Sequence, residues 1–407
     1  MEAKKSHNYT YKFRLYPNQE HQVLLAKHFG CHRFVYNYFL NERINYYLEH
    51  KETDSKKKSL NYYDQAKTLT ALKKEKEWLR EPNSQALQFA LTCLEASYNN
   101  FFSGRTRFPK FHSKRGKQSF TVPQNVEVKD GKLSLPKFKE GIKCKFHRDI
   151  EGTIKTCTVS KNPAGQYFAC IVVERPIMKL PKSKKTVGVD LGIKTFAVCS
   201  NGQVFKNIKP YRTLEARLNK LNQWFARTTK GTNLHEKVRR KIARLYQRIT
   251  NIRNDYLHKV SRKLIDENQV ICLENLNVKG MMANHKRAKS VMDCSWSKFT
   301  VMVKYKANWY GRDVVQVSRW FPSSKTCHHC HYVKQNLTLD EREWDCPKCG
   351  RHHDRDYNAS QNIHQQGLNL LNRGDHGGSL GTGSKTIKNG SKPFKRHSGM
   401  KQEAPTL

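Results

Sequence analysis

Thr186-Val187-Gly188-Val189-Asp190-Leu191-Gly192-Ile193-Lys194-Thr195-Phe196-Ala197-Val198 places one acidic side chain inside an otherwise apolar, β-forming run. Val187, Val189 and Leu191 favour a strand, Gly192 permits a tight turn, and Phe196 to Val198 read as a second strand returning beside the first. Asp190 then stands on a rigid strand near a turn. It is either a strand-end carboxylate satisfied by backbone donors or a metal ligand, and the stretch alone leaves both open.

The 407 residues are enough for two to four domains, and 37% hydrophobic residues are compatible with a sizeable core. Lys and Arg number 76 against 34 Asp and Glu, a formal net charge of +42. A small domain needs only roughly 2 to 8 charges to stay soluble, so this field calls for a polyanion, and nucleic acid fits better than membrane. No run of about 18 apolar residues appears, no lipidation motif stands out, and no apolar signal-peptide core follows the lysines of Met1 to Ser6. A cytoplasmic location is expected, nucleoid-associated when DNA is bound, with no membrane and no small-molecule substrate. Eight of the 12 cysteines are scattered singly and read as small buried hydrophobes in a reducing compartment.

Tyr9 to Leu15 alternates at period 2 and predicts a half-buried strand ended by Pro17. Helices are predicted over 19–29, 33–48 and 62–79, then from Ser84, a plausible N-cap, to about Phe102. Residues 96–126 hold no acid, while Arg105, Arg107, Lys110, Lys114, Arg115 and Lys117 alternate with Phe108, Phe111 and Phe120. Such a segment is either an RNA-facing surface, where cations meet phosphates and rings stack on bases, or a solvated basic loop whose rings are core. Short strands separated by turn signals are predicted from Val126 to Pro176; with Tyr9 to Leu15 they could close a small barrel.

Beyond the opening stretch, helices are predicted over 214–225 and 234–266. The second carries an apolar stripe of Val238, Ile242, Leu245, Ile249, Ile252, Tyr256, Val260 and Leu264, with Arg239, Arg240, Arg244, Arg248 and Arg253 mostly off it. That basic face is either merely solvated or the wall of a backbone-tracking groove. Gln269 to Leu276 repeats the pattern of Asp190, a β-forming run closed by Glu274. Met281 to Asp293 reads as a mobile basic loop, Trp296 to Tyr310 as a helix and Asp313 to Val317 as a strand. Cys327-x2-Cys330-x15-Cys346-x2-Cys349 then has zinc-ribbon spacing. Four thiolates leave no open position for water, so one Zn²⁺ there is structural. His328, His329, His331, His352 and His353 are expected to face the surface or nucleic acid. Asp354 to Ile363 opens a short helix and supplies a third acid, and Leu368 to Leu407 is expected to be disordered.

Asp190, Glu274 and Asp356 thus lie at two strand ends and a helix start. Three carboxylates in a basic protein suit two Mg²⁺ ions, which prefer oxygen ligands, and such pairs promote in-line phosphodiester displacement. Five stretches, in order, resemble the TnpB family: Tyr11-Lys12-Phe13-Arg14-Leu15-Tyr16-Pro17, Gly188-Val189-Asp190-Leu191-Gly192, Glu274-Asn275-Leu276, Ser323-Ser324-Lys325-Thr326-Cys327-x2-Cys330, and Asp354-Arg355-Asp356-x-Asn358-Ala359. TnpB proteins are transposon-encoded RNA-guided DNA nucleases related to the ancestors of type V CRISPR effectors. The likeness spans about residues 8–370.

The resemblance implies a multidomain α+β chain. A RuvC-like (RNase H-like) α/β nuclease domain occupies 181–322 and 352–370, with a zinc-ribbon target-nucleic-acid-binding insertion at 323–351. A wedge β-barrel occupies 1–17 and 105–180, carries a helical recognition domain at 18–104, and leaves 371–407 as a disordered basic tail. It implies a guide RNA from the transposon end, a short transposon-adjacent motif read on double-stranded target DNA, and Mg²⁺-dependent cleavage. The catalytic and Mg²⁺-binding triad falls on Asp190, Glu274 and Asp356, with Asp354 the rival for the third place. The zinc ligands fall on Cys327, Cys330, Cys346 and Cys349. His331 stands where the family usually has Gly. Arg319 and Lys325 are weaker candidates for scissile-phosphate contacts. Two alternatives remain: a non-cleaving nucleic-acid-binding regulator of transposition, and a strand-transferring transposase, whose usual order of acids is Asp, Asp, Glu.

Overall fold

The computed structural model describes residues 6–52, 59–338 and 340–374. Strand β1 (Ser6–Tyr16) leads into helix α1 (Gln19–His50), then α2 (Tyr62–Glu75), a 3-10 turn (Glu77–Arg80) and α3 (Ser84–Phe102). Where two helices are predicted, α1 is one helix of 32 residues. Glycine at position 30 costs about 1 kcal/mol in a helix interior, but Cys31 and His32 beside it are buried, and tertiary packing carries the helix through. Asn83, not Ser84, caps α3: its Oδ1 accepts from the backbone N–H groups of Gln85 and Ala86 at 2.7 and 3.2 Å.

Strands β2 (Gln118–Val122), β3 (Glu127–Lys129), β4 (Lys132–Ser134), β5 (Ile142–Lys145), β6 (Thr153–Lys161) and β7 (Tyr167–Pro176) follow. With β1 they form a seven-stranded sheet, order β2-β6-β7-β1-β5-β4-β3. The sheet curls around one core containing Phe13, Phe120, Leu133, Ile142, Val159 and Ile171. Among the described residues its end strands β2 and β3 do not pair, so the sheet is curled and open where a closed barrel is expected. Phe120 is fully buried and Phe108 packs edge-on against Tyr98 and Phe101. Of the three rings in the basic segment only Phe111, 49% exposed, is free to meet a base.

Next come β8 (Thr186–Leu191), β9 (Thr195–Cys199), β10 (Val204–Lys206), α4 (Pro210–Ala226), α5 (Asn233–Glu267), β11 (Val270–Glu274), α6 (Val278–Ala283), α7 (His285–Cys294), α8 (Trp296–Tyr310) and β12 (Asp313–Val317). The five strands form a second sheet, order β10-β9-β8-β11-β12. β9 runs antiparallel to β8, whereas β11 is parallel to both β8 and β12, because α5 and α8 carry the chain back between them. Val187, Val189, Ile271 and Leu273 point to the side covered by α5 and α8 and join Leu264 and Phe299 in one core. On α5 the predicted stripe drifts: Ile252 is exposed, while Leu257 is buried.

The expected mobile loop over 281–293 is instead the two short helices α6 and α7. Val291 and Cys294 are buried, and the carboxylate of Asp293 accepts from the Tyr211 N–H that opens α4 and pairs with Arg253 at 2.8 Å. Strands β13 (Glu343–Asp345) and β14 (His352–Asp354) pair within the ribbon, and helix α9 (Arg355–Asn372) follows. At 18 residues α9 is longer than the short helix expected and takes in the start of the segment read as a disordered tail. Residues 375–407 lie outside the described residues. No described helix is long and apolar enough to cross a membrane.

Candidate functional site

The register of the second sheet sets Asp190 and Glu274 side by side. Val270, Ile271, Cys272 and Leu273 pair with Thr186, Val187, Gly188 and Val189; one step further puts Glu274 level with Asp190, on the same face by the period-2 rule. Both stand at the carboxyl ends of strands, and β8 is the strand at which the sheet changes from antiparallel to parallel. Ligands of open α/β sheets bind at such an edge.

Helix α9 covers that face. A methyl on Gly188 would collide with the Ser360 carbonyl and with His364, and one on Gly367 would collide with Cys272. Only hydrogen at these two positions lets the helix lie on the sheet. His364 Nε2 meets Thr186 Oγ1 at 2.7 Å near the start of β8, so α9 runs back along the strand and its first turn, with Asp356, lies at the acid-bearing edge. Asp354 is the N-cap, its Oδ1 accepting from the Tyr357 N–H at 2.7 Å.

Burial first, then the charges of Asp356 and Glu274, push the Asp190 carboxyl from 3.8 up to about 8. Arg355 and the Leu191 N–H oppose the shift. Burial also raises the Glu274 carboxyl. Burial and two neighbouring carboxylates thus act on Asp190 at a partly enclosed edge. The donor set of the three acids is all oxygen and is only partly compensated by Arg355 and Arg342, so it fits Mg²⁺. Among the described residues only the four cysteines bring all their donor atoms within 4.8 Å of one another. Arg342 Nη1 lies 3.4 Å from Asp356 Oδ1.

The sulfurs of Cys327 and Cys349 are 3.7 Å apart and those of Cys330 and Cys346 are 3.5 Å apart. Thiolates about 2.3 Å from a tetrahedral ion would be ~3.8 Å apart, so the cluster fits one structural Zn²⁺. Both Cys-x2-Cys turns close alike: His331 N–H donates to the Cys327 carbonyl at 2.9 Å and Gly350 N–H to that of Cys346 at 2.8 Å. His331 adopts φ +61° where the second turn has Gly350 at +67°, so the turn survives without glycine. His329, His331 and His352 are exposed as expected. His353 is not: it is buried, with Nε2 3.0 Å from Cys327 Sγ. His328 is also turned inward, its backbone N–H donating to Asn358 Oδ1 at 3.0 Å.

Residue spacing alone does not reveal the connection between ribbon and helix. Asn358 Nδ2 donates to the Thr326 carbonyl at 2.8 Å, and Asn362 Nδ2 donates to those of Ser323 and Thr326 at 2.8 and 2.6 Å. Both asparagines are buried. They sit four residues apart on one face of α9 and bind the ribbon's entry to the helix that carries Asp356. The signal in the sequence is a pair of amides, Asn358 and Asn362, at helical spacing.

The six cations of residues 105–117 are all exposed, as are Arg240, Arg244 and Arg248 of α5. Arg253 is committed internally to Asp293, and Arg239 and Arg240 share Glu236. Lys325 Nζ is held by the Gln335 carbonyl at 2.8 Å, while Arg319 is exposed.

A family profile described as "Probable transposase" matches residues 169–285, and one described as "Cas12f1-like, TNB domain" matches 296–363. A third, "Helix-turn-helix domain", matches 7–52, where the structure has one strand and one unbroken helix. A protein of Streptomyces pristinaespiralis named "Putative RNA-guided DNA endonuclease" is 37% identical over 371 residues, covering 90% of each chain. The Escherichia coli K12 protein of the same description, InsQ, is 29% identical over 90% of this chain and 94% of its own. A cryo-EM structure titled as the Cas12f1–sgRNA–target DNA complex superposes with a TM-score of 0.55 at 13% identity, over 88% of this chain and 99% of that one. The fold is therefore Cas12f-like.

Proposed function

The chain belongs to the TnpB family, and we propose that it is an RNA-guided, Mg²⁺-dependent DNA endonuclease of an insertion-sequence transposon. The observation that carries this is the convergence of Asp190, Glu274 and Asp356 at one sheet edge, where burial and then the charges of the other two raise Asp190, in a chain of net charge +42. The names of the relatives above support it. The second sheet, with acids at the ends of adjacent parallel strands and a helix supplying the third, supports a RuvC-like nuclease domain. The curled first sheet takes the part of the wedge, and α1 to α3 that of the recognition domain inserted within it.

Asp190 and Glu274 would hold Mg²⁺ from the sheet and Asp356 from the first turn of α9. Bound Mg²⁺ supplies activation of water and neutralisation of the leaving oxygen. The chain's own part is to fix these carboxylates on rigid elements: Gly188 and Gly367 let α9 approach, and Asn358 and Asn362 tie it to the ribbon. The exposed cations of 105–117 and of α5 neutralise phosphates of the guide RNA, taken from the transposon end, and of the target duplex, entered through a short adjacent motif. Cleavage by this chemistry leaves a 5′-phosphate and a 3′-hydroxyl.

The test is guidance itself. The chain is co-expressed with RNA from the flanking transposon end, and the purified complex is given plasmids with a matching or a scrambled target in Mg²⁺. Cutting of the matching plasmid alone is expected; equal cutting of both, or of neither, overturns the proposal.

A further inference from the structure

Trp320 is 86% exposed, the most exposed large apolar side chain among the described residues. Its turn is braced. Trp320 N–H donates to Ser318 Oγ at 3.3 Å, Phe321 N–H to the Ser318 carbonyl at 3.1 Å, and Asn362 holds the carbonyl of buried Ser323. Phe321 packs into the core beneath α9. A rigid turn therefore presents an indole to water, forgoing the ~150–250 Å² that such a ring can bury.

The turn leaves the end of β12, where Val317 pairs with Glu274 and its carbonyl accepts from the Asn275 N–H at 3.0 Å. Three residues reach at most ~11 Å, so the Trp320 backbone lies within that distance of Val317, the strand neighbour of Glu274. Arg319 next to it is exposed and has no hydrogen bond or ion pair among the described residues. An unpartnered aromatic face beside a free guanidinium suits single-stranded nucleic acid, whose bases offer their faces and whose phosphates need cations. A duplex keeps those faces stacked inside.

We propose that Trp320 is a base-stacking platform for unwound, single-stranded target DNA, with Arg319 on the adjoining phosphate, holding the strand beside the three carboxylates. This rests on the nuclease reading. The test uses the guide-loaded complex with Asp190→Asn to prevent cutting, and single-stranded DNA carrying 2-aminopurine. Trp320→Ala or Trp320→Leu should weaken binding by ~10-fold and abolish quenching of the base, while Trp320→Phe retains most of both. Leucine behaving like wild type, or all three variants failing alike, overturns the platform. In the cleavage-competent background, unchanged KM for single strands on Trp320→Ala also overturns it. Failure of the wild type to cut a matching target counts instead against the nuclease reading, and leaves the binding and quenching results to decide the platform separately.

Discussion

Replacing Asp190 by asparagine should make the zinc-loaded, Mg²⁺-free protein more stable at alkaline pH while removing its cleavage. The carboxyl stands at about 8 in the fold against an ordinary 3.8. Between those values the folded chain binds more protons than the unfolded one, so this group's contribution is fully present below about pH 4 and is lost as pH rises through about 8. The shift is worth ~5–6 kcal/mol for a sealed group at ~1.4 kcal/mol per unit. The Asp190 side chain keeps partial contact with water, so about half, ~2–3 kcal/mol, is the working figure. For a folding unit of 150–250 residues that is a rise of ~5–10 °C in Tm. Thermal melts of wild type and Asp190→Asn in Mg²⁺-free buffer from pH 4.5 to 8.5 should show curves that converge towards the acid end and separate upward. A gap that is absent at pH 8.5, or as large at pH 4.5, would refute the claim that burial and two neighbouring carboxylates strain this site.

The same structure makes further predictions. Gly188→Ala should lift α9 from β8 and displace Asp356, cutting cleavage by at least ~100-fold, as misplacements near 1 Å can, while guide-RNA binding measured by gel shift stays near wild type. Asn358→Ala and Asn362→Ala each remove donors from buried carbonyls and should cost ~1–3 kcal/mol in denaturant titrations; since both bond the Thr326 carbonyl, the double variant should lose less than the sum. Cys346→Ser, or zinc removal by chelation, should unfold the ribbon and abolish cleavage through Asp356, and a variant that lacks zinc yet cuts fully would break the proposed link between ribbon and α9.

Much of the site was legible because it violates ordinary patterning. A carboxylate closing an apolar strand, twice, is conspicuous at Asp190 and Glu274, and paired Cys-x2-Cys elements need only spacing. What escaped depends on contacts distant in sequence. Gly30 reads as a break in α1, yet burial of its neighbours carries the helix through. Asp293 reads as part of a loose basic loop, although it caps α4 some 80 residues earlier and neutralises Arg253. His353 reads as one surface histidine among five, and only the folded ribbon puts it against Cys327. The openness of the first sheet was not legible either, because strand alternation fixes which side faces the core and leaves open whether the end strands meet.

On the proposed reading Asp190, Glu274 and Asp356 act as one site, and Asp354 serves only as the cap of α9. Single-turnover cleavage of a guide-matched plasmid in Mg²⁺ by wild type, Asp190→Ala, Glu274→Ala, Asp356→Ala and Asp354→Asn tests it directly. The wild type and Asp354→Asn should cut, and each of the three alanine variants should be silent while still binding guide RNA and target. Cutting at the wild-type rate by any of those three, or silence of Asp354→Asn alone, would rule out a single site built from these three carboxylates.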